Sequence, residues 1–136
     1  MLDLPTARRC LDAGAQFLVS PCLVDGLAQA AHEAGRAALI GGYTPGEVLA
    51  ARRAGADIVK VFPASSGGPA HLAAIHAVFP DIPLCPTGGV TAANMDDYFK
   101  AGATLAGVGN AIVPLAALER GDRAAVKAHA AAYLRK

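Results

Sequence analysis

Arg53-Ala54-Gly55-Ala56-Asp57-Ile58-Val59-Lys60-Val61-Phe62-Pro63 reads as one helix-to-strand junction. A helix-like stretch ends at Gly55, where a left-handed residue costs little. A short apolar run, residues 58–62, follows, and a proline closes it. The junction recurs at Ala13-Gly14-Ala15, Glu33-Ala34-Gly35 and Ala101-Gly102-Ala103. The strand candidates are residues 17–19, 37–40, 58–62 and 105–108, with 84–87 after the turn Pro80-Asp81-Ile82-Pro83. They are apolar on both faces, as expected of parallel strands covered by helices.

Between them, residues 24–34, 44–54, 70–78 and 91–101 carry apolar positions three and four apart, the pattern of crossover helices. Thr91 is the expected N-cap of the last of these, and an Ala-rich helix over 123–134 ends the chain. The order predicts an α/β fold of about five βα units in a single domain, residues 1–136. A closed (β/α)₈ barrel needs eight strands and about 250 residues. The pattern is therefore either a five-stranded open sheet or a barrel without its first part.

With 12 basic against 11 acidic residues the net charge is +1. The basic residues are scattered, so the chain offers no stripe for nucleic acid or an anionic membrane. No apolar run approaches the length of a spanning helix, and the N-terminus lacks the features of a leader, which predicts a cytoplasmic protein. Cys10, Cys22 and Cys85 form no C-x-x-C pair and read as reduced thiols, the first and last as small core residues. His32, His71, His76 and His129 lack metal-ligand spacing and read as surface or boundary residues, so no metal is expected.

Lys60 interrupts an apolar strand. Desolvation there disfavours the ammonium and lowers the expected pKa, and a neutral amine can attack a ketone to form an imine. The competing reading is a lysine snorkelling from an edge strand. Pro86-Thr87-Gly88-Gly89-Val90-Thr91 places two glycines at a strand end before a helix, where bare N–H groups and the helix dipole suit a phosphate. Gly107-Val108-Gly109-Asn110 repeats the arrangement one unit later. Ser20-Pro21-Cys22 and Gly41-Gly42-Tyr43-Thr44 belong on the same rim.

Val59-Lys60-Val61-Phe62-Pro63-Ala64, with Pro86-Thr87-Gly88-Gly89-Val90, Gly107-Val108-Gly109-Asn110 and Phe17-Leu18-Val19-Ser20-Pro21, resembles the 2-keto-3-deoxy-6-phosphogluconate (KDPG) and 4-hydroxy-2-oxoglutarate (KHG) aldolases. The resemblance covers essentially the whole chain. It implies a (β/α)₈ barrel of which the chain holds strands four to eight, and a cofactor-independent class I aldolase. The expected reactions are cleavage of 2-dehydro-3-deoxy-6-phosphogluconate to pyruvate and glyceraldehyde 3-phosphate, or of 4-hydroxy-2-oxoglutarate to pyruvate and glyoxylate.

The same resemblance implies that Lys60 is the Schiff-base lysine and that Thr87, Pro21 and Phe62 contact the substrate. Gly88, Gly89, Gly107, Gly109 and Asn110 would bind phosphate, Asn110 standing where the family commonly has serine. The partners implied are a keto acid, a phosphorylated sugar acid and further copies of the chain, as a trimer. Family members also carry a general-base glutamate, an arginine for the keto-acid carboxylate and a threonine loop on their first three strands. The chain is expected to lack these, and Glu33 and Glu47, on helix-like stretches, are poor substitutes. The other readings are a non-catalytic phosphate-binding half-barrel and a different phosphate-binding barrel enzyme.

Overall fold

The computed structural model describes residues 1–109 and 111–134. Along the chain run α1 (Leu4–Asp12), β1 (Phe17–Val19), α2 (Leu27–Glu33), β2 (Ala37–Gly42), α3 (Pro45–Arg53) and β3 (Ile58–Val61). A 3₁₀ turn (Ala64–Ser66), α4 (Gly68–Val78), β4 (Leu84–Pro86), α5 (Met95–Lys100), α6 (Leu115–Glu119) and α7 (Arg123–Ala131) complete it. The strands form one sheet in the order β1-β2-β3-β4, each pair parallel. Its register sets Lys60 between Gly41 and Cys85.

The recurring glycines close helices as anticipated. Gly55 has φ 96°, its N–H donates to Arg52 O at 3.1 Å, and the Ala56 N–H donates to Ala51 O at 3.1 Å. This pair of hydrogen bonds is the Schellman motif, which turns the chain from helix into strand and satisfies carbonyls of the last turn. The same pairing ends α1, α2 and α5. Helix starts are fixed by side chains: Asp3 accepts from the Thr6 N–H, Asp122 from the Ala125 N–H, and Thr44 with Glu47 forms a capping box before α3.

Helices cover one face of the sheet. Leu18, Ala38, Ile40, Val59, Val61 and Leu84 are buried with Leu27, Ala31, Val48, Ala51, Leu72 and Ile75 from the helices. The alternate positions Val19, Leu39 and Lys60 are only partly buried, and Phe17 is 56% exposed. An apolar run on both faces does not distinguish helix cover from a sheet whose second face lines an interior.

Three expectations need correction. Residues 105–108 do not form a strand; they contribute a single bridge, Thr87 to Gly107. Glycines at 107 and 109 leave that stretch without side chains to pack at alternate positions. Nor is Thr91 a helix N-cap: residues 91–94 form a turn and α5 begins at Met95, with Asn94 at the cap position. The final helix stops at Ala131 rather than 134.

Candidate active site

Three clefts lie on the helix-free face of the sheet and at the carboxyl ends of its strands, and the second shares residues with each of the other two. The first, about 420 Å³, is bounded by Phe17, Val19, Leu39, Lys60, Cys85 and Thr87 and by residues 105–109. Phe62 stands in the turn immediately after β3, beside the Lys60 side chain. The Lys60 Nζ stands 4.7 Å from the centre of the Phe62 ring. That contact favours positive charge on the nitrogen. Among the described residues Lys60 forms no ion pair. Beside it, burial pushes the Cys85 thiol up, against opposing effects of its contact with Thr87 and the charge of Lys60.

The second cleft, about 340 Å³, contains Phe62, Thr87, Gly88, Gly89, Gly107 and Gly109 in its wall, with residues 90, 91 and 111. Three successive carbonyls of its glycine turn are occupied. Thr87 O accepts from the Ala64 N–H at 2.8 Å, Gly88 O from the Ser65 N–H at 3.0 Å, and Gly89 O from Asn94 Nδ2 at 3.0 Å. In a trans peptide the N–H points opposite to the C=O. The N–H groups of Gly88, Gly89 and Val90 therefore face away from these donors, and they take no part in backbone–backbone bonds among the described residues. Consecutive free N–H groups form a concavity suited to an anion. The site does not rest on a helix dipole, since a turn separates the glycines from the short α5.

Packing explains the glycines. A Cβ on Gly89, at φ 80°, would stand 2.5 Å from Ser65 Cβ, and one on Gly88, at φ 86°, would stand 3.1 Å from the Phe62 ring. One on Gly107 would overlap Thr87 Oγ1, whereas Gly109 has open space.

The third cleft, about 290 Å³, includes Pro21, Gly41, Gly42, Tyr43, Glu47 and Phe62 among its residues. A Cβ on Gly41 would overlap the Pro21 carbonyl, so the missing side chain lets the loop after β1 cross the end of β2. Glu47 is committed to its cap: its carboxylate accepts from Thr44 N at 2.8 Å, Thr44 Oγ1 at 2.9 Å and Tyr43 N at 3.1 Å. These bonds, led by the Thr44 N–H, hold its pKa below the usual range. Glu33 is exposed at the end of α2 and accepts from Gln29. Among the described residues no carboxylate lines either of the first two clefts.

Lys60, Phe62, Thr87 and the four glycines thus come together, with Phe62 also shared by the cleft of Pro21. Asn110 lies outside the described residues. Four residues bearing on the site carried no sequence signal: Ser65, Cys85, Asn94 and Tyr98. Tyr98 is 2% exposed and its hydroxyl donates to Ala64 O at 3.1 Å. Burial raises its pKa.

The family of KDPG and KHG aldolases matches residues 1–129. A 2-dehydro-3-deoxy-phosphogluconate aldolase of Pseudomonas aeruginosa is 39% identical over 128 residues, which are 93% of this chain and 58% of that protein. A KHG/KDPG aldolase of Escherichia coli K12 is 39% identical over 82% of this chain and 53% of its own length. A KDPG aldolase of Legionella pneumophila, solved with pyruvate captured at low pH as a covalent carbinolamine intermediate, superposes with a TM-score of 0.85 at 27% identity. It matches 94% of this chain and 63% of its own. The chain spans little more than half the length of these two curated relatives. The match over nearly the full chain, together with the parallel sheet it shares with the solved relative, establishes that the chain belongs to the KDPG and KHG aldolase family.

Proposed function

We propose that this chain supplies the imine-forming and phosphate-binding part of a class I aldolase. Its substrate is 2-dehydro-3-deoxy-6-phosphogluconate, 4-hydroxy-2-oxoglutarate, or both. The observation that carries the reading is the contiguity of the Lys60 cleft with the glycine cleft through Thr87, Gly107 and Gly109. A keto acid at the amine can thereby have its phosphate end at the free N–H groups.

The neutral Lys60 amine adds to the C2 carbonyl to give a carbinolamine, which loses water to become an iminium ion. Phe62 favours that cation as it favours the ammonium. The iminium then accepts the electron pair of the C3–C4 bond, releasing the aldehyde and leaving an enamine. Protonation of the enamine and hydrolysis return pyruvate and the amine. Thr87, Phe62 and Pro21 bound the substrate, and Gly88, Gly89, Gly107, Gly109 and Asn110 hold its phosphate. No metal or cofactor enters this scheme.

The proton on the cleaving hydroxyl needs a base within hydrogen-bond reach. Neither cleft offers a carboxylate, so the reading assigns the base to a part of the relatives that this chain does not match. It also takes residues 1–136 as one partial barrel domain of about five βα units, strands four to eight. The helix-bare sheet face, lined by Phe17, Val19, Leu39 and Lys60, would be the barrel interior. The whole protein would be a cytoplasmic homo-oligomer, a trimer by resemblance, serving Entner–Doudoroff carbohydrate metabolism.

Borohydride reduction in the presence of pyruvate tests the reading. A mass increase on Lys60 is expected, absent in Lys60→Ala and in Lys60→Arg, whose guanidinium stays charged. The missing carboxylate favours one second reading, a non-catalytic phosphate-binding half-barrel. Phosphate binding with no trapped adduct on the wild-type chain would select it.

A further inference from the structure

The glycine turn has a brace that is not part of its sequence motif. Asn94 reaches back across it with both ends of its amide: Oδ1 accepts from the Thr91 N–H at 2.8 Å, and Nδ2 donates to Gly89 O at 3.0 Å. The second bond orients the Gly89–Val90 peptide, which carries one of the three free N–H groups. The other two peptides of the turn are oriented by backbone donors, Ala64 and Ser65.

A glycine at φ 80° has wide conformational freedom and does not hold its own peptide in one orientation. Removing the Nδ2 donor would let that peptide rotate and turn a carbonyl, rather than an N–H, toward the anion.

We propose that Asn94 is a positioning residue for phosphate recognition: by fixing the Gly89 carbonyl, its side-chain amide keeps the Val90 N–H available to the phosphate. The proposal rests on the reading of the glycine turn as the phosphate site. Because Asn94 is not among the residues lining the Lys60 cleft, it acts on phosphorylated ligands and not on imine formation.

The test uses the 136-residue chain with inorganic phosphate as probe, followed by amide NMR shifts of Gly88, Gly89 and Val90. Borohydride trapping of pyruvate runs in parallel. Asn94→Ala should weaken phosphate binding about twofold to tenfold, the range expected for one hydrogen bond, with the trapping rate unchanged. Asn94→Asp keeps the acceptor for Thr91 but sets a carboxylate oxygen against Gly89 O and adds negative charge beside the anion. Its loss should exceed that of Asn94→Ala, although it keeps the bond from Thr91 that holds the turn. A merely structural role would instead make Asn94→Asp the milder change and would lower phosphate binding and trapping together. Wild-type affinity in both variants overturns the positioning role while leaving the phosphate site standing. A wild-type chain whose turn amides do not respond to phosphate overturns the underlying reading, and the proposal with it.

Discussion

A methyl group fits at position 109 and not at 89. The Cβ of Gly89→Ala meets Ser65 at 2.5 Å and forces a φ of 80° on a residue with a side chain; the backbone conformation alone costs roughly 1–2 kcal/mol. Urea titration should show Gly89→Ala destabilised by at least that much, since the contact with Ser65 adds to it, with phosphate binding weakened more than pyruvate trapping. Gly109→Ala, with nothing within 4 Å of its new Cβ, should retain wild-type stability. Equal midpoints for the two variants would contradict the geometry. Phe62→Leu removes the ring 4.7 Å from the Lys60 amine. It should leave trapping close to the wild-type rate, because the cation–π contact, about 0.5–1 kcal/mol at an exposed site, is lost equally from the resting ammonium and from the iminium ion. At this scale the sequence was informative where chemistry is local. Lys60 breaks an apolar run, Phe62 follows it closely, and the glycine pairs stand at strand ends. Asn94 and Tyr98 were silent because their meaning lies in partners the chain brings up from elsewhere: Tyr98 serves Ala64, 34 positions away.

Between elements, Asp57 is the tie at the base of the sheet. Its carboxylate accepts from the Ala38 N–H at 2.7 Å, linking β3 to β2, and stands 2.9 Å from His32 Nε2 on α2. The Ala38 N–H is the main cause of its lowered pKa, opposed by desolvation and reinforced by His32. A carboxyl whose folded pKa lies below its unfolded value of 3.8 adds stability above that value, and the addition is lost as pH falls through the folded pKa. Thermal melts of wild type and Asp57→Asn should therefore differ at pH 7 and converge below about pH 4. A gap that stays constant into acid would mean that the carboxylate charge contributes nothing. Element boundaries were readable where side chains set them, as at Thr44 and Glu47 before α3 or the Gly55 junction after it. They were misread where tertiary bonds intervene. Asn94 takes the Thr91 N–H and holds residues 91–94 as a turn, a competition that helical periodicity does not reveal. The expected strand at 105–108 has apolar residues but gives the sheet only the Gly107 bridge.

For the molecule as a whole, the asymmetry of the sheet matters most. One face is sealed by helices. The other presents Phe17, Val19 and Leu39 toward the Lys60 cleft, and the outer edge of β1 has no strand partner among the described residues. Both-face apolarity was plain in the sequence; that one face would lack helices was not, because strand composition is the same for a doubly covered sheet and a barrel arc. An unpaired parallel edge beside exposed apolar side chains is a template for association. The 136-residue chain, prepared alone, should therefore sediment as a mixture whose mean mass rises with protein concentration. Phe17 is the most exposed aromatic of that face at 56%, and Phe17→Asp should shift the mixture toward monomer with little change in helix content by circular dichroism. If the edge is the site of contact, Leu134→Asp, at an exposed position on the C-terminal segment, should leave the distribution unchanged. A wild-type chain that stays monomeric as concentration rises would show that the open face is protected by something other than a neighbouring strand. Equal effects of the two substitutions would place the contact elsewhere than β1.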